Sequence, residues 1–420
     1  MQENLNNIQL LTHANDKVGW VTKLVAKSLF EKIRDLRGGA FRVIWSGQTV
    51  VYGDKNADTI IDIEIHDESF FYALATRGSV GAGEAYMDGA WSTPDLVGAL
   101  RLILMNYHIL ESMEGGIAAL SRPLLGAYHR VRKNTVSGSK KNISAHYDLS
   151  NEFFELMLDE TMMYSSGMYA TPETTLYEAS VAKLDAICRK LQLCADDHVL
   201  EIGTGWGGFA VHAAKHYGAR VTTTTISKEQ YRFAKERVER EGLEDRITLL
   251  LKDYRELEGT YDKLVSIEMI EAVGHHFYET FFEVCQARLK PDGAALIQAI
   301  TIADHVFEAA RDSVDFIKRY IFPGSCIPSV TALCQAASKA SDLKLFHLED
   351  IGEDYARTLL DWRERFFDRL DDVKALGFDE RFIRMWDFYL CYCAAGFQRR
   401  HISDVHLLMT RPDCRLQMRG

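Results

Sequence analysis

Between about Leu184 and Ile300 the chain switches repeatedly between two hydrophobic rhythms, and that alternation narrows its possible folds more than any other feature. His198–Ile202, Arg220–Thr224, Ile247–Leu251, Lys263–Ile267 and Ala294–Ile300 read as short apolar or β-branched strands. Asp185–Leu191, Gly208–Tyr217, Glu229–Glu241 and Phe277–Leu289 carry helical spacing around them. Strands alternating with helices predict a doubly wound α/β architecture, with a mostly parallel sheet covered on both faces.

The amino-terminal part reads differently. Phe41–Trp45 and Gln48–Tyr52 flank a Ser46-Gly47 turn, Thr59–Ile65 makes a third strand, and helical spacing follows from Glu68 to His108. These features predict a small α+β domain over residues 1–114. Residues 115–145 hold no acidic residue but include Arg122, Arg130, Arg132, Lys133, Lys140 and Lys141, and read as a basic linker. Residues 146–420 then form the α/β domain. The linker serves as a solvated connection or as a contact for anionic lipid headgroups. Val21–Leu36, with Lys23, Lys27, Lys32 and Arg34, reads either as an amphipathic surface helix or as an ordinary packed one.

A net charge of −11 argues against nucleic acid as a partner, since such binding rests on neutralising phosphates. No apolar run is long enough to cross a bilayer, and Met1–Asn15 lacks the pattern of a secretion signal. The expected location is cytoplasmic, with peripheral contact at the inner face of the membrane. The eight cysteines are dispersed without zinc spacing and read as free thiols, and no metal site is expected. His275 and His276 are adjacent in a turn with no third ligand near, and read as solvated.

Where the first of the alternating strands meets its helix stands Glu201-Ile202-Gly203-Thr204-Gly205-Trp206-Gly207-Gly208. Glycines at such a junction let the backbone turn sharply and approach a ligand. Gly203, Gly205 and Gly208 alone also satisfy the dinucleotide fingerprint. A dinucleotide site needs an acid at the end of the next strand, and this chain has Thr222–Thr225 there. An acid two positions before the first glycine, as Glu201 is, resembles methyltransferases that use S-adenosylmethionine.

Further segments resemble the cyclopropane fatty acid synthases and mycolic acid methyltransferases. They are His146–Phe154, Met163–Ser165, Glu201–Phe209, Thr225–Gln230, Lys252–Arg255, Ser266–Gly274, Tyr320–Gly324 and Asp354–Leu359, in that order. Gly83–Gly89 resembles the amino-terminal domain of the longer bacterial synthases. The resemblance implies a Rossmann-like methyltransferase acting on the double bond of an unsaturated membrane phospholipid. By position it places Tyr164 and Ser165 against the cofactor, Glu201, Gly203, Gly205 and Gly207 in its loop, Thr225 and Gln230 at the ribose, and Asp253 and Tyr254 at the adenine. It leaves room for a homodimer.

Methyl transfer to an alkene leaves a carbocation, which aromatic faces stabilise. Tyr169, Phe316, Tyr320, Trp362 and Phe366 are candidates, each equally readable as core or acyl-channel packing. A base must then remove a proton, giving either a cyclopropane or, after a hydride shift, a methylene branch. In the family that base is a bicarbonate ion held by a cysteine, a glutamate, a histidine, a tyrosine and a backbone isoleucine. Glu271, Tyr355 and Ile300 match, but Ser166 replaces the cysteine and Gln298 the histidine. Glu268 stands where a small residue is common. At i, i+3 and on a helix, Glu268 and Glu271 would share a face, and two carboxylates with a bicarbonate cannot all stay ionised. Either bicarbonate or the Glu268 carboxylate is then the base. Cys393 matches a family cysteine marked as catalytic, although a cationic route has no use for a covalent nucleophile. A lipid-binding homologue with an impaired site, and a methyltransferase for a soluble metabolite, are the competing expectations.

Overall fold

The computed structural model describes residues 19–107, 109 and 149–417. The basic segment 115–145 and the His146–Asp148 motif lie outside the described residues. The chain divides into two units, and the division is not a single cut: 313–321 and 377–401 join the amino-terminal unit, interrupting the continuous domain expected over 146–420.

The first unit begins with helix α1 (Trp20–Ile33), followed by strands β1 (Ala40–Trp45), β2 (Gln48–Gly53) and β3 (Ile60–Ile65). Ser46 and Gly47 both have positive φ, as a two-residue hairpin turn with native twist requires. Helix α2 (Ser69–Met87), β4 (Trp91–Ser92) and α3 (Leu96–Met105) complete its contiguous part, and the sheet order is β2-β1-β3-β4. This is the α+β layout the sequence predicts. The 313–321 segment is held by Glu84 of α2, which is buried and accepts from Tyr320 Oη at 2.6 Å and Arg319 Nε at 3.1 Å, with Arg77 as a third partner. Phe316 lies against Gly83, where a Cβ would come within 2.5 Å of its ring. Phe316 and Tyr320, two of the candidate aromatics, therefore pack within this unit.

The second unit contains α4 (Asn151–Met157), α5 (Leu176–Leu191), β5 (His198–Ile202), α6 (Gly208–Tyr217), β6 (Arg220–Thr225), α7 (Lys228–Glu241), β7 (Ile247–Leu251) and β8 (Tyr261–Ile267). It continues with α8 (Ile270–Val273), α9 (Tyr278–Arg288), β9 (Leu289–Ile302), α10 (Asp304–Asp312), α11 (Val330–Ala340), β10 (Lys344–Asp350), α12 (Gly352–Asp368), α13 (Leu370–Ala375) and β11 (Ile402–Thr410). Its seven-stranded sheet has the order β10-β11-β9-β8-β5-β6-β7. The strands from β9 to β7 pair in parallel, while β11 is antiparallel to both β9 and β10.

Alternate side chains of each strand feed two cores, as a period of two demands. Val199, Val265, Leu296 and Leu408 pack with α5 and α6, whereas Leu200, Leu264, Ile297 and Leu407 pack with α9 and α11. Helix boundaries follow local chemistry. Thr175 and Glu178 form a reciprocal capping box at the start of α5, and α6 and α7 end at glycines 218 and 242 with positive φ. Among the described residues no helix is long and apolar enough to cross a membrane.

Candidate functional site

Strand order runs outward from β5 in opposite directions, to β6 and β7 on one side and to β8 and β9 on the other. The crevice beyond the carboxyl ends of β5 and β8 is the place where such a sheet receives a ligand. Glu201 lies on β5 and Gly203 follows it; Glu268 directly follows β8. The two loops touch: a Cβ on Gly203 would lie 3.3 Å from Met269.

The loop after β5 is an open cradle. Gly203, Gly205 and Gly207 all have positive φ, and a Cβ on Gly205 would meet nothing within 4 Å. Gly203 and Thr204 donate their N–H groups to Thr224 O, which ties the loop to β6. Glu201 is buried and its Oε2 has no hydrogen-bond partner. Burial raises its carboxyl to about 8, against hydrogen bonding from Thr223 and the charge of Lys183. At the end of β6, Thr225 donates to Gln230 Oε1 at 2.9 Å and accepts from Ser227 N–H. Both Asp253 oxygens are taken by Arg255 at 2.7 Å, and the buried Tyr254 hydroxyl lacks a partner. A buried carboxyl with one oxygen unpartnered, beside an open glycine turn, fits the ammonium-bearing end of S-adenosylmethionine, which Glu201, Gly203 and Gly205 would hold.

Across the crevice, the predicted residues Ser166, Glu268, Glu271, Gln298, Ile300 and Tyr355 converge. Glu268 Oε1 accepts from Ser166 N–H at 2.9 Å and Gln298 Nε2 at 2.8 Å, and its Oε2 accepts from Tyr355 Oη at 2.5 Å. Glu271 Oε1 accepts from Ile300 N–H at 2.5 Å, while its Oε2 is unpartnered. Burial, and then the charge of Glu268, raises the Glu271 carboxyl to about 8. Three of the groups expected around a bicarbonate are thus engaged by the Glu268 carboxylate. A bicarbonate does not fit beside it: its donors are occupied, and it would add a negative charge to two buried carboxyls.

The helical premise for Glu268 and Glu271 is corrected. Only Glu271 is on α8; Glu268 precedes it with φ +48°, a left-handed conformation that few side-chain-bearing residues adopt. Convergence comes from that turn rather than from a helix face. The buried cation beside Glu268 is Lys183 of α5, whose Nζ donates to Ser165 Oγ at 2.5 Å and feels the charges of Glu268, Asp404, Asp159 and Glu201. Burial lowers it to about 8.

Sequence reasoning missed Lys183, together with Lys190, Asp404 and His406. Lys183 and Lys190 are seven residues apart on the apolar face of α5 that also carries Leu184, Ile187 and Leu191, and this was the available signal. Around the crevice stand aromatic rings: Tyr164 lies 5.1 Å from Trp362 and 5.2 Å from Phe154, and Phe366 is fully buried. Tyr169 is committed elsewhere, donating to Asp361 at 2.7 Å beneath the Arg357 guanidinium. Cys393 belongs to the first unit, and burial keeps its thiol well above the range where a thiolate forms. Among the described residues no metal-binding cluster occurs, and the eight cysteines are unbonded to one another.

A Rossmann-like sheet with this loop in its crevice defines a methyltransferase that uses S-adenosylmethionine. The sequence model of mycolic acid cyclopropane synthetases matches residues 135–407, and the chain belongs to that family. It is 36% identical over 375 residues to tuberculostearic acid methyltransferase UfaA1 of Mycobacterium tuberculosis, covering 84% of this chain and 85% of that protein. It is equally 36% identical over 363 residues to the cyclopropane-fatty-acyl-phospholipid synthase of Escherichia coli, covering 85% of this chain and 89% of that one. The mycolic acid cyclopropane synthase CmaA1, solved with SAH and CTAB, superposes with a TM-score of 0.59 at 28% identity, covering 64% of this chain and 98% of that one.

Proposed function

We propose that this enzyme methylates a double bond in an unsaturated phospholipid acyl chain and that Glu268 is the general base. The observation that carries the reading is the Glu268 carboxylate, which takes hydrogen bonds from Ser166, Gln298 and Tyr355 where relatives are expected to hold a separate anion. When bound, S-adenosylmethionine supplies an electrophilic methyl group. Transfer of that methyl to the alkene would leave the neighbouring carbon cationic. The aromatic cluster of Tyr164, Phe154 and Trp362, of which the last two are fully buried, would suit such a cation.

Glu268 then accepts a proton, and the electrons of the broken C–H bond close a ring or, after a hydride shift, form a methylene double bond. A base fixed to the chain by its own side chain stands differently from a small bound ion, and we favour the branched product. The tuberculostearic acid methyltransferase and the cyclopropane-fatty-acyl-phospholipid synthase are equally similar to this chain, so gas chromatography–mass spectrometry of lipids from an expressing host decides between the products.

Catalysis is assigned to the second unit and contact with the membrane surface to the first. Trp20 and Leu24 of α1 are 78% and 61% exposed beside Lys23 and the exposed Lys27, a pairing suited to the interface of an anionic bilayer. The test is release of S-adenosylhomocysteine in the presence of unsaturated phospholipid vesicles. Glu268→Gln is expected to lower turnover roughly 10²- to 10⁴-fold, with no recovery on adding bicarbonate. Undiminished turnover in that variant, or a rate that follows bicarbonate, refutes the base assignment. Activity without any vesicles would point to a soluble substrate.

A further inference from the structure

One buried carboxyl in the crevice has no part in the scheme above. Asp404 of β11 is fully buried, its Oδ2 accepts from Gln298 Nε2 at 2.7 Å, and its Oδ1 has no partner. The same Gln298 nitrogen bonds Glu268, so a single amide joins two carboxyls.

The orientation of that amide is set from a distance. Lys190 Nζ, which only donates, lies 2.5 Å from His406 Nδ1. His406 Nδ1 is therefore the acceptor and Nε2 carries the hydrogen, which it donates to Gln298 Oε1 at 3.3 Å. The amide oxygen is held toward His406, and the amide nitrogen is turned to the carboxyls. Gln298, His406 and Glu349 are opposed residues on β9, β11 and β10, forming one polar rung across the sheet, and Glu349 at its outer end pairs with Lys190.

The two carboxyls are served unequally. Glu268 accepts from a backbone N–H, an amide and a phenol, whereas Asp404 accepts only the second amide hydrogen and otherwise faces Glu268 itself. An ionised carboxylate needs donors on its lone pairs, and two ionised carboxylates on one buried amide repel. We propose that Asp404 is the protonated member of a carboxyl pair in which Glu268 is ionised, and that it acts as a positioning residue for the base. It anchors Gln298 toward Glu268 without adding a competing charge. The inference rests on the reading of Glu268 as base.

The charged and titratable groups around Asp404 agree with it. Among the described residues, Lys183 of α5 is a fully buried cation that feels both carboxyls; Glu268 and Glu271 approach from the segment after β8, and Tyr355 of α12 is hydrogen-bonded to Glu268. His406 on the same strand is held neutral by burial and by Lys190. On β10, Glu349 is paired with Lys190 and Asp350 accepts from Ser403 and Gly352 N–H. Burial, and then the charge of Glu268, pushes the Asp404 carboxyl well above its ordinary range.

The experiment pairs infrared spectroscopy of protonated carboxyls with the pH dependence of S-adenosylhomocysteine release. In Asp404→Asn, which keeps the amide contact and is permanently neutral, turnover at neutral pH is expected to fall far less than in Glu268→Gln. The variant should also lose one protonated-carboxyl band and any alkaline fall in rate arising from Asp404. A band that persists in Asp404→Asn, or a loss of turnover as deep as in Glu268→Gln, overturns the proposal. Isotopic labelling of aspartate carboxyls in the unaltered enzyme tests the same point without relying on the variant's folding: the band must shift with labelled aspartate. If Glu268→Gln turns over normally while the aspartate band is present, the base reading fails and the location of the proton stands.

Discussion

Glu201 illustrates how burial in this crevice moves a single side chain away from its ordinary acidity. Its folded value of about 8 lies above the usual carboxyl value of 4.5, so between those limits the folded chain keeps a proton that the unfolded chain has lost. Its contribution to stability therefore falls as pH rises through that window. A cationic ligand reverses the preference and favours the ionised form. Binding of S-adenosylmethionine at pH 6.5 is expected to release close to one proton, falling toward none above about pH 9. Calorimetry in buffers of different ionisation enthalpy measures the number, and uptake of protons at pH 6.5 would contradict this role for Glu201. At this scale the sequence was partly readable. The acid before the glycine loop and the positions around Glu271 could be found by resemblance to the family. The left-handed turn at Glu268 could not, because no local propensity announces φ +48° at a glutamate.

Among the elements, the β5–α6 junction was the most legible, since closely spaced glycines between a strand and a helix serve a tight turn that a ligand can approach. Gly205→Ala places a methyl group in open space at φ +52°, so its cost to folding is mainly backbone strain of about 1 kcal/mol. The same methyl projects into the cradle, and affinity for the cofactor is expected to fall roughly tenfold or more. Thermal denaturation of the free enzyme alongside cofactor titration separates the two effects; equal small losses in both would argue against a ligand at this turn. The parallel strands β5 to β8 were recovered nearly at their true bounds because each is an apolar or β-branched run, whereas β9 begins five residues earlier than its apolar part, at Leu289. β10 and β11 were not anticipated. Asp404 and His406 matter only because β11 pairs with β9 across about a hundred intervening residues, Asp404 opposite Ile300 and His406 opposite Gln298. Such a register cannot be read from one strand alone.

For the molecule as a whole, the exposed apolar residues of α1 make a prediction that does not involve the crevice. Leu24→Glu is expected to weaken partition onto anionic phospholipid vesicles roughly tenfold while leaving cofactor affinity unchanged. Co-sedimentation with vesicles measures the first and titration calorimetry the second; unchanged sedimentation would remove α1 from the lipid surface. The division into two units was only half legible, because segments 313–321 and 377–401 return to the first unit through contacts such as those of Glu84, which leave no mark in local composition. The placement of β11 between β9 and β10 has its own outcome during synthesis. β10 emerges from the ribosome before the strand it pairs with, and residues 351–401 must be translated before that partner exists. Until then the nascent sheet ends at β9 with an open edge, and the acids of the crevice face no Asp404 or His406.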